Sequence, residues 1–341
     1  MSRRAPGQEG EQRWVLAHHG DVTVRTVRSA SLFRSSRGGC RVRRYSPFGR
    51  HLEETRDEAV FVTGTSSGIG RAIALDLAGR SVTVFAGVRR AGEAPKGDGL
   101  PGAVHEILLD VTSGSQITEA ADAIRRLLGR QRLRGVVNNA GVATGGPLEY
   151  VTIDEMRHQF EVNVFGQLAV TQAVLDLIRD HGDGRVLFTS SIGGHIAAPC
   201  FGPYAASKHA LNGMAESMRR ELRPWNIRVS VLVPGAVATP IWSKADHSVQ
   251  GLTDRLPTRA KELYGSTLEN MRRYVASAAA GRSISPSVVA RAARHALYAR
   301  HPKAVYLMGA EARAGVALST ALPTRVFDAL LARQLSRSPS R

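Results

Sequence analysis

From Ala59 to Met308, short apolar runs alternate with stretches of helical spacing, and this alternation constrains the fold more than any other feature of the chain. Ala59–Thr63, Val82–Ala86, Val104–Leu109, Gly135–Asn138, Arg185–Ser190, Ile227–Val233 and Ala304–Met308 read as seven strands. Helices are predicted over Ile69–Ala78, Ser115–Leu128, Thr152–Asp180 and Tyr204–Leu222, and from Pro286 to about Ala299. Two helix starts carry their own signals. Thr152-x-x-Glu155 has the spacing of a capping box, and Ser285-Pro286 sets a cap before a proline at the first helical position. Strands without polar alternation are buried on both faces, and strands separated by helices pair in parallel. The expected fold is therefore a doubly wound α/β domain over about 58–310, with helices on both faces of a mostly parallel seven-stranded sheet. No apolar run approaches the ~18 residues of a membrane-spanning helix, so no span is expected.

Charge raises the question of a nucleic-acid partner, because the chain carries a net +17. Of its 46 basic residues only five are lysine, and in the body they are interspersed with acids. So strong a skew towards arginine reads as coding bias, and no nucleic-acid partner is expected. Residues 1–57 differ in kind. Arg25 to Arg50 contains eight arginines and no acid, among Ser and Gly and without periodicity. Such a segment buries too little apolar surface to offset its ordering entropy. It is expected to be a disordered tail, with a targeting segment or a translation start near residue 55 as the other readings. The two cysteines, Cys40 and Cys200, exclude a disulfide scaffold, show no metal-ligand spacing and suit a reducing, cytoplasmic setting. No metal site is expected.

Thr63-Gly64-Thr65-Ser66-Ser67-Gly68-Ile69-Gly70 follows the first strand directly. A glycine turn between a strand and a helix lets backbone N–H groups approach a diphosphate at the helix N-terminus. Gly64, Ser66, Ser67, Gly68, Ile69 and Gly70 are thus candidate cofactor residues. The second strand runs into Gly87-Val88-Arg89-Arg90, and no acid occurs between Leu77 and Glu93. A carboxylate there would hold a ribose hydroxyl, whereas arginine suits a 2′-phosphate. Arg89 and Arg90 therefore favour NADP(H), with NAD(H) the lesser alternative, unless they are two plain surface arginines.

Tyr204 and Lys208 share a face of one predicted helix at i,i+4 spacing. An ammonium beside a phenol is expected to lower its pKa and ready it for proton exchange. Ser191 stands at the end of the fifth strand, where parallel sheets bind ligands. With these residues stand Asp110-Val111, Asn138-Asn139-Ala140-Gly141, Asn163 and Pro234-Gly235 with Thr239. In this order, over about three-quarters of the chain, they resemble a short-chain dehydrogenase/reductase, with its Rossmann-type sheet. The resemblance implies that Tyr204 is the general acid/base, that Ser191 orients the reacting oxygen and that Lys208 holds the nicotinamide ribose. It implies that Asn163 binds a water on the proton path and that Asp110 and Val111 meet the adenine. For Asp110 a turn or capping role is also open. Asn139, Ala140 and Gly141 would let the backbone approach the cofactor, and Pro234, Gly235, Val237 and Thr239 would grip the nicotinamide.

The substrate end is apolar. Ile192 to Phe201 is largely so, and a lid over about 240–281 contains Trp242, Tyr264 and Tyr274, with Leu263, Thr267, Leu268, Met271 and Val275 at helical spacing. Together with Gly87-Val88-Arg89-Arg90 and Pro240-Ile241-Trp242, this resembles the hydroxysteroid and retinol dehydrogenase branch and implies a bulky lipophilic alcohol or ketone as substrate. An oxoacyl-carrier reductase and a non-catalytic NADP-binding regulatory protein are the alternatives. His195 and Cys200 are expected to be packing residues. Residues 311–341 read as a helical tail, with Pro323–Leu335 amphipathic, and the resemblance implies a homodimer or homotetramer using the Thr152–Asp180 helix.

Overall fold

The computed structural model describes residues 57–239, 256–277 and 283–336, the side chains of residues 274, 275, 277, 335 and 336 excepted. The arginine-rich stretch before residue 57, Pro240-Ile241-Trp242 and the side chains of Tyr274 and Val275 lie outside the described residues. Seven strands are present: β1 (Glu58–Thr63), β2 (Thr83–Val88), β3 (Val104–Leu108), β4 (Arg132–Asn138), β5 (Arg185–Thr189), β6 (Arg228–Pro234) and β7 (Val305–Met308). They form one sheet in the order β3-β2-β1-β4-β5-β6-β7, every pair parallel.

The apolar runs follow from two cores, one on each face. Ala59 and Phe61 of β1, with Val186 and Phe188 of β5, pack on one side. Val60, Val62 and Leu187 point to the other, because successive side chains of a strand alternate. The first face is covered by α2 (Gly114–Leu128), α4 (Gly166–Asp180) and α5 (Gly202–Glu221), the second by α1 (Gly68–Ala78) and α7 (Pro286–Tyr298). Each fully buried Phe or Leu contributes roughly 1.5–3 kcal/mol relative to exposure, so neither face could be left open.

Three differences from the sequence expectations have physical causes. The predicted helix over Thr152–Asp180 begins with its capping box, Glu155 N–H donating to Thr152 Oγ1 at 3.1 Å and Thr152 N–H to Glu155 Oε2 at 2.9 Å. It is then interrupted: α3 (Ile153–Phe160) gives way to a π turn at Glu161–Phe165 before α4. Second, β4 starts at Arg132, earlier than its apolar part, because Arg134 is buried against Glu58 and Asp183. Third, in α6 (Thr258–Ser277) the apolar stripe holds at Leu268 and Met271, but Leu263 is exposed. The tail contains two helices, α8 (Ala310–Ala321) and α9 (Thr324–Ser336). Among the described residues no helix is long and apolar enough to cross a membrane.

The strand order reverses between β1 and β4, and the carboxyl ends of the strands open a crevice there, the place where doubly wound sheets bind ligands.

Candidate active site

A cleft of about 250 Å³ occupies that crevice. Its floor is the turn between β1 and α1. Thr63 and Thr65 are buried and act as internal ties. Thr63 Oγ1 accepts the N–H groups of Asn139 and Ala140 at 3.0 Å each, and Thr65 Oγ1 donates to Gly87 O at 3.1 Å. Asn139 returns the contact, its Nδ2 donating to Thr63 O and Gly64 O at 3.0 and 3.2 Å. Gly64 has φ +68°, and a Cβ there would lie 2.8 Å from Ala140 Cα. Only glycine lets the turn close so tightly on the end of β4.

Ser66, Ser67, Gly68 and Ile69 line the cleft. Ser67 caps α1 without a side-chain hydrogen bond, and the first turn of α1 holds no acid. The donors of that turn and the positive end of the helix are thus available to an anion. Gly70, expected at the diphosphate, does not line the cleft. It is a packing glycine: a Cβ would fall 2.2 Å from Gly64 O and 2.5 Å from Asn139 Nδ2.

At the far end the cleft is walled by Arg89, Asp110, Val111, Thr112 and His158. Asp110 accepts the N–H and Oγ–H of Thr112 at 2.9 and 2.7 Å. These bonds hold its carboxyl below the usual carboxylate range, with further help from the Arg89 charge. Asp110 is therefore at once a turn residue and a wall of the cleft. Arg90 departs from expectation. Its side chain is 84% exposed, 3.8 Å from Glu93, and does not line the cleft.

The reacting end brings Ser191, Tyr204 and Lys208 to one wall, with Thr189 and Ser190 beside them. Tyr204 and Lys208 sit on α5, one turn apart, and the Lys208 Nζ lies 5.7 Å from the Tyr204 ring centroid. Lys208 is buried, donates to Thr189 O at 2.8 Å, and is pushed down to about 8 by desolvation. The expected lowering of the phenol pKa by Lys208 is not what this site does. Burial pushes Tyr204 above its ordinary 10, and the opposing effect comes from its hydrogen bond with Ser191.

Asn163 does not line the cleft either. It is fully buried in the π turn, where its Oδ1 accepts Val142 N–H at 2.9 Å and its Nδ2 donates to Val142 O and Ser207 Oγ at 3.0 and 3.1 Å. Its amide donors are engaged, and the side chain fastens the segment after β4. That segment supplies Asn139, Ala140, Gly141 and Val142 to the cleft. Pro234, Gly235, Val237 and Thr239 close the remaining side. Their loop is fastened from behind by Ala238 N–H to Ile284 O at 3.0 Å and Ile284 N–H to Ala236 O at 2.9 Å.

A second cavity of about 300 Å³ adjoins the first, lined by Ile192, Ile196, Ala198 and Phe201, by Met271 of α6, and by residues of α8 and α9. Among the described residues, Ser191 and Tyr204 alone line both cavities. His195 and Cys200 line neither; burial pushes the Cys200 thiol up to about 11, which suits packing rather than chemistry. His158, Thr112 and Val142 also line the cleft, and no local pattern in the sequence marks them.

The cleft fits a dinucleotide. It has free helix N-terminal donors for a diphosphate, a guanidinium at one end, and a hydroxyl pair with a buried amine at the other.

A family profile described as short chain dehydrogenase matches residues 58–250. The chain is 32% identical over 281 residues to an NADPH-dependent 3-dehydrocapnine reductase of Ornithobacterium rhinotracheale, covering 81% of this chain and 96% of the relative. It is 32% identical over 287 residues to retinol dehydrogenase 5 of Mus musculus, covering 82% of this chain and 90% of the relative. Among solved structures, a short chain dehydrogenase/reductase from Burkholderia phymatum in complex with NAD aligns with a TM-score of 0.66 and 25% identity, over 84% of this chain and 99% of that one.

Proposed function

Because this chain belongs to the short-chain dehydrogenase family and is an oxidoreductase that interconverts alcohols and carbonyls, we propose that it works with NADP(H) on a bulky lipophilic substrate, with Tyr204 exchanging the proton. One observation carries this proposal: Ser191 and Tyr204 stand where the polar cleft and the apolar cavity meet. A carbonyl or alcohol carbon between the two cavities would face a cofactor on one side and have its body in apolar surroundings on the other.

The residues then take distinct parts. In carbonyl reduction the Tyr204 hydroxyl donates its proton to the substrate oxygen; in oxidation it takes the proton back. A phenol held above 10 by burial is protonated at neutral pH, the state that the acid role needs. Ser191 hydrogen-bonds the same oxygen and stabilises the charge that develops on it. Lys208, tethered to Thr189 O, presents a positive charge to the cleft beside the phenol. The bound nicotinamide would supply or accept the hydride. Gly64, Ser66, Ser67, Gly68 and Ile69 would hold its diphosphate, and Arg89 a 2′-phosphate.

The preference for NADP(H) is supported by Arg89 in the cleft wall and by the lack of an acid at the end of β2. The relative named for NADPH agrees with it; the structural neighbour holding NAD does not. The lipophilic substrate is supported by the apolar walls of the second cavity and by the relative named for retinol.

Tyr204→Phe tests the proton role. It should lower kcat by about 10²–10⁴-fold, the range of a lost general acid, while NADPH still binds, as followed by its fluorescence. Full turnover in the variant would refute the assignment.

A further inference from the structure

We propose that the α8–α9 pair is the substrate-measuring wall of this enzyme, and that the side chains at positions 314 and 327 set the longest apolar ketone or alcohol it accepts. The proposal rests on the lipophilic reading of the second cavity.

From α8 the cavity is lined by Glu311, Ala314, Gly315 and Leu318, and from α9 by Phe327, Leu330, Leu331 and Gln334. Both sets follow i, i+3, i+4, i+7, the spacing of one helix face. Only Leu322 and Pro323 separate the two helices. Ala314 and Gly315 are the small members of the α8 set, and Phe327, Leu330 and Leu331 the bulky members of the α9 set; both sets line the cavity together with Ile192 and Ile196. Gly315 keeps α8 close to the Ile192–Ile196 loop, since a Cβ there would already lie 3.0 Å from Ile196 Cδ1.

The stripe lies on residues 310–336, after the last strand of the sheet. It is not ordinary core. The outer side of α9 is exposed at Arg325, Val326, Asp328 and Ala329, and among its described side chains only Phe327 and Leu331 are partly covered. Those two face the cavity. The volume, about 300 Å³, is at the small end of the roughly 300–1,000 Å³ typical of ligand pockets. At that size one ring or a few methylenes decide whether a substrate fits.

The test uses the full chain with NADPH and straight 2-alkanones of increasing length, and reads kcat/KM for each. Phe327→Ala should enlarge the cavity and raise the ratio of long-chain to short-chain kcat/KM by about tenfold or more; Ala314→Phe should lower it by a similar factor, the scale on which pockets discriminate methylenes. A purely structural defect would lower all members of the series together and leave the ratio unmoved. Opposite shifts in the two variants support the measuring wall. Unchanged ratios in both, with the wild type active on the series, overturn it alone. A wild-type enzyme inactive on every ketone of the series overturns the lipophilic reading and the wall with it.

Discussion

Replacing Lys208 separates what this residue does for the fold from what it does for the reaction. Its ammonium is buried and held by a single hydrogen bond, to Thr189 O. Desolvation lowers its pKa from 10.5 to about 8. At about 1.4 kcal/mol per pKa unit, burying the charge costs the folded state about 3 kcal/mol. The sign fixes the pH window. Between about 8 and 10.5 the unfolded chain binds the proton that the folded chain has lost, so stability rises with pH there. Below 8 the full cost is present, and above 10.5 it is gone. Lys208→Met removes this titration but leaves Thr189 O without a donor, a loss of about 1–3 kcal/mol. At pH 7 the variant should therefore match the wild type or exceed it by up to about 2 kcal/mol, although its turnover is lost. Between pH 7 and 9.5 the wild type should gain about 2 kcal/mol on the variant. Tyr204 does not interfere, because burial keeps it neutral over that range. Urea unfolding of the cofactor-free proteins at the two pH values measures the difference. A gap between wild type and variant that is the same at both pH values would refute the argument, and the buried-charge account of Lys208 would fall.

Two further pairs of variants test the cleft and the helix packing. Arg89→Ala should raise KM for NADPH roughly tenfold to a hundredfold, the worth of a charged hydrogen bond of about 1.5–3 kcal/mol, and leave NADH untouched. Arg90→Ala, outside the cleft, should change neither, so equal losses for both cofactors in Arg89→Ala would sink the 2′-phosphate assignment. Gly70→Ala should destabilise by at least about 1–3 kcal/mol through overpacking, because its Cβ meets Gly64 O at 2.2 Å. Gly265→Ala, in the middle of α6 with open space around it, should instead stabilise by about 0.5–1 kcal/mol. Thermal unfolding reads both, and melting temperatures moving in the same direction would contradict the packing argument.

The alternation of apolar runs and helical spacing determined the strands, most helices and the parallel sheet, because burial on two faces is written locally in each run. The glycine turn and the Tyr204/Lys208 pair were legible for the same reason: each is defined by neighbours within one or two turns of chain. Tertiary structure alone decided which parts of those motifs face the cleft. Gly64 and Gly70 look alike in sequence, yet only the approach of Asn139 and Ala140 makes one a wall of the cleft and the other a packing contact. Arg89 and Arg90 are adjacent, and the bend after β2 puts one in the cleft wall and leaves the other exposed. The π turn that seats Asn163, the burial that raises Tyr204 and lowers Lys208, and the α8–α9 wall are products of elements brought together from distant parts of the chain. Desolvation and close approach belong to surroundings, and a residue's surroundings exist only once the chain has folded.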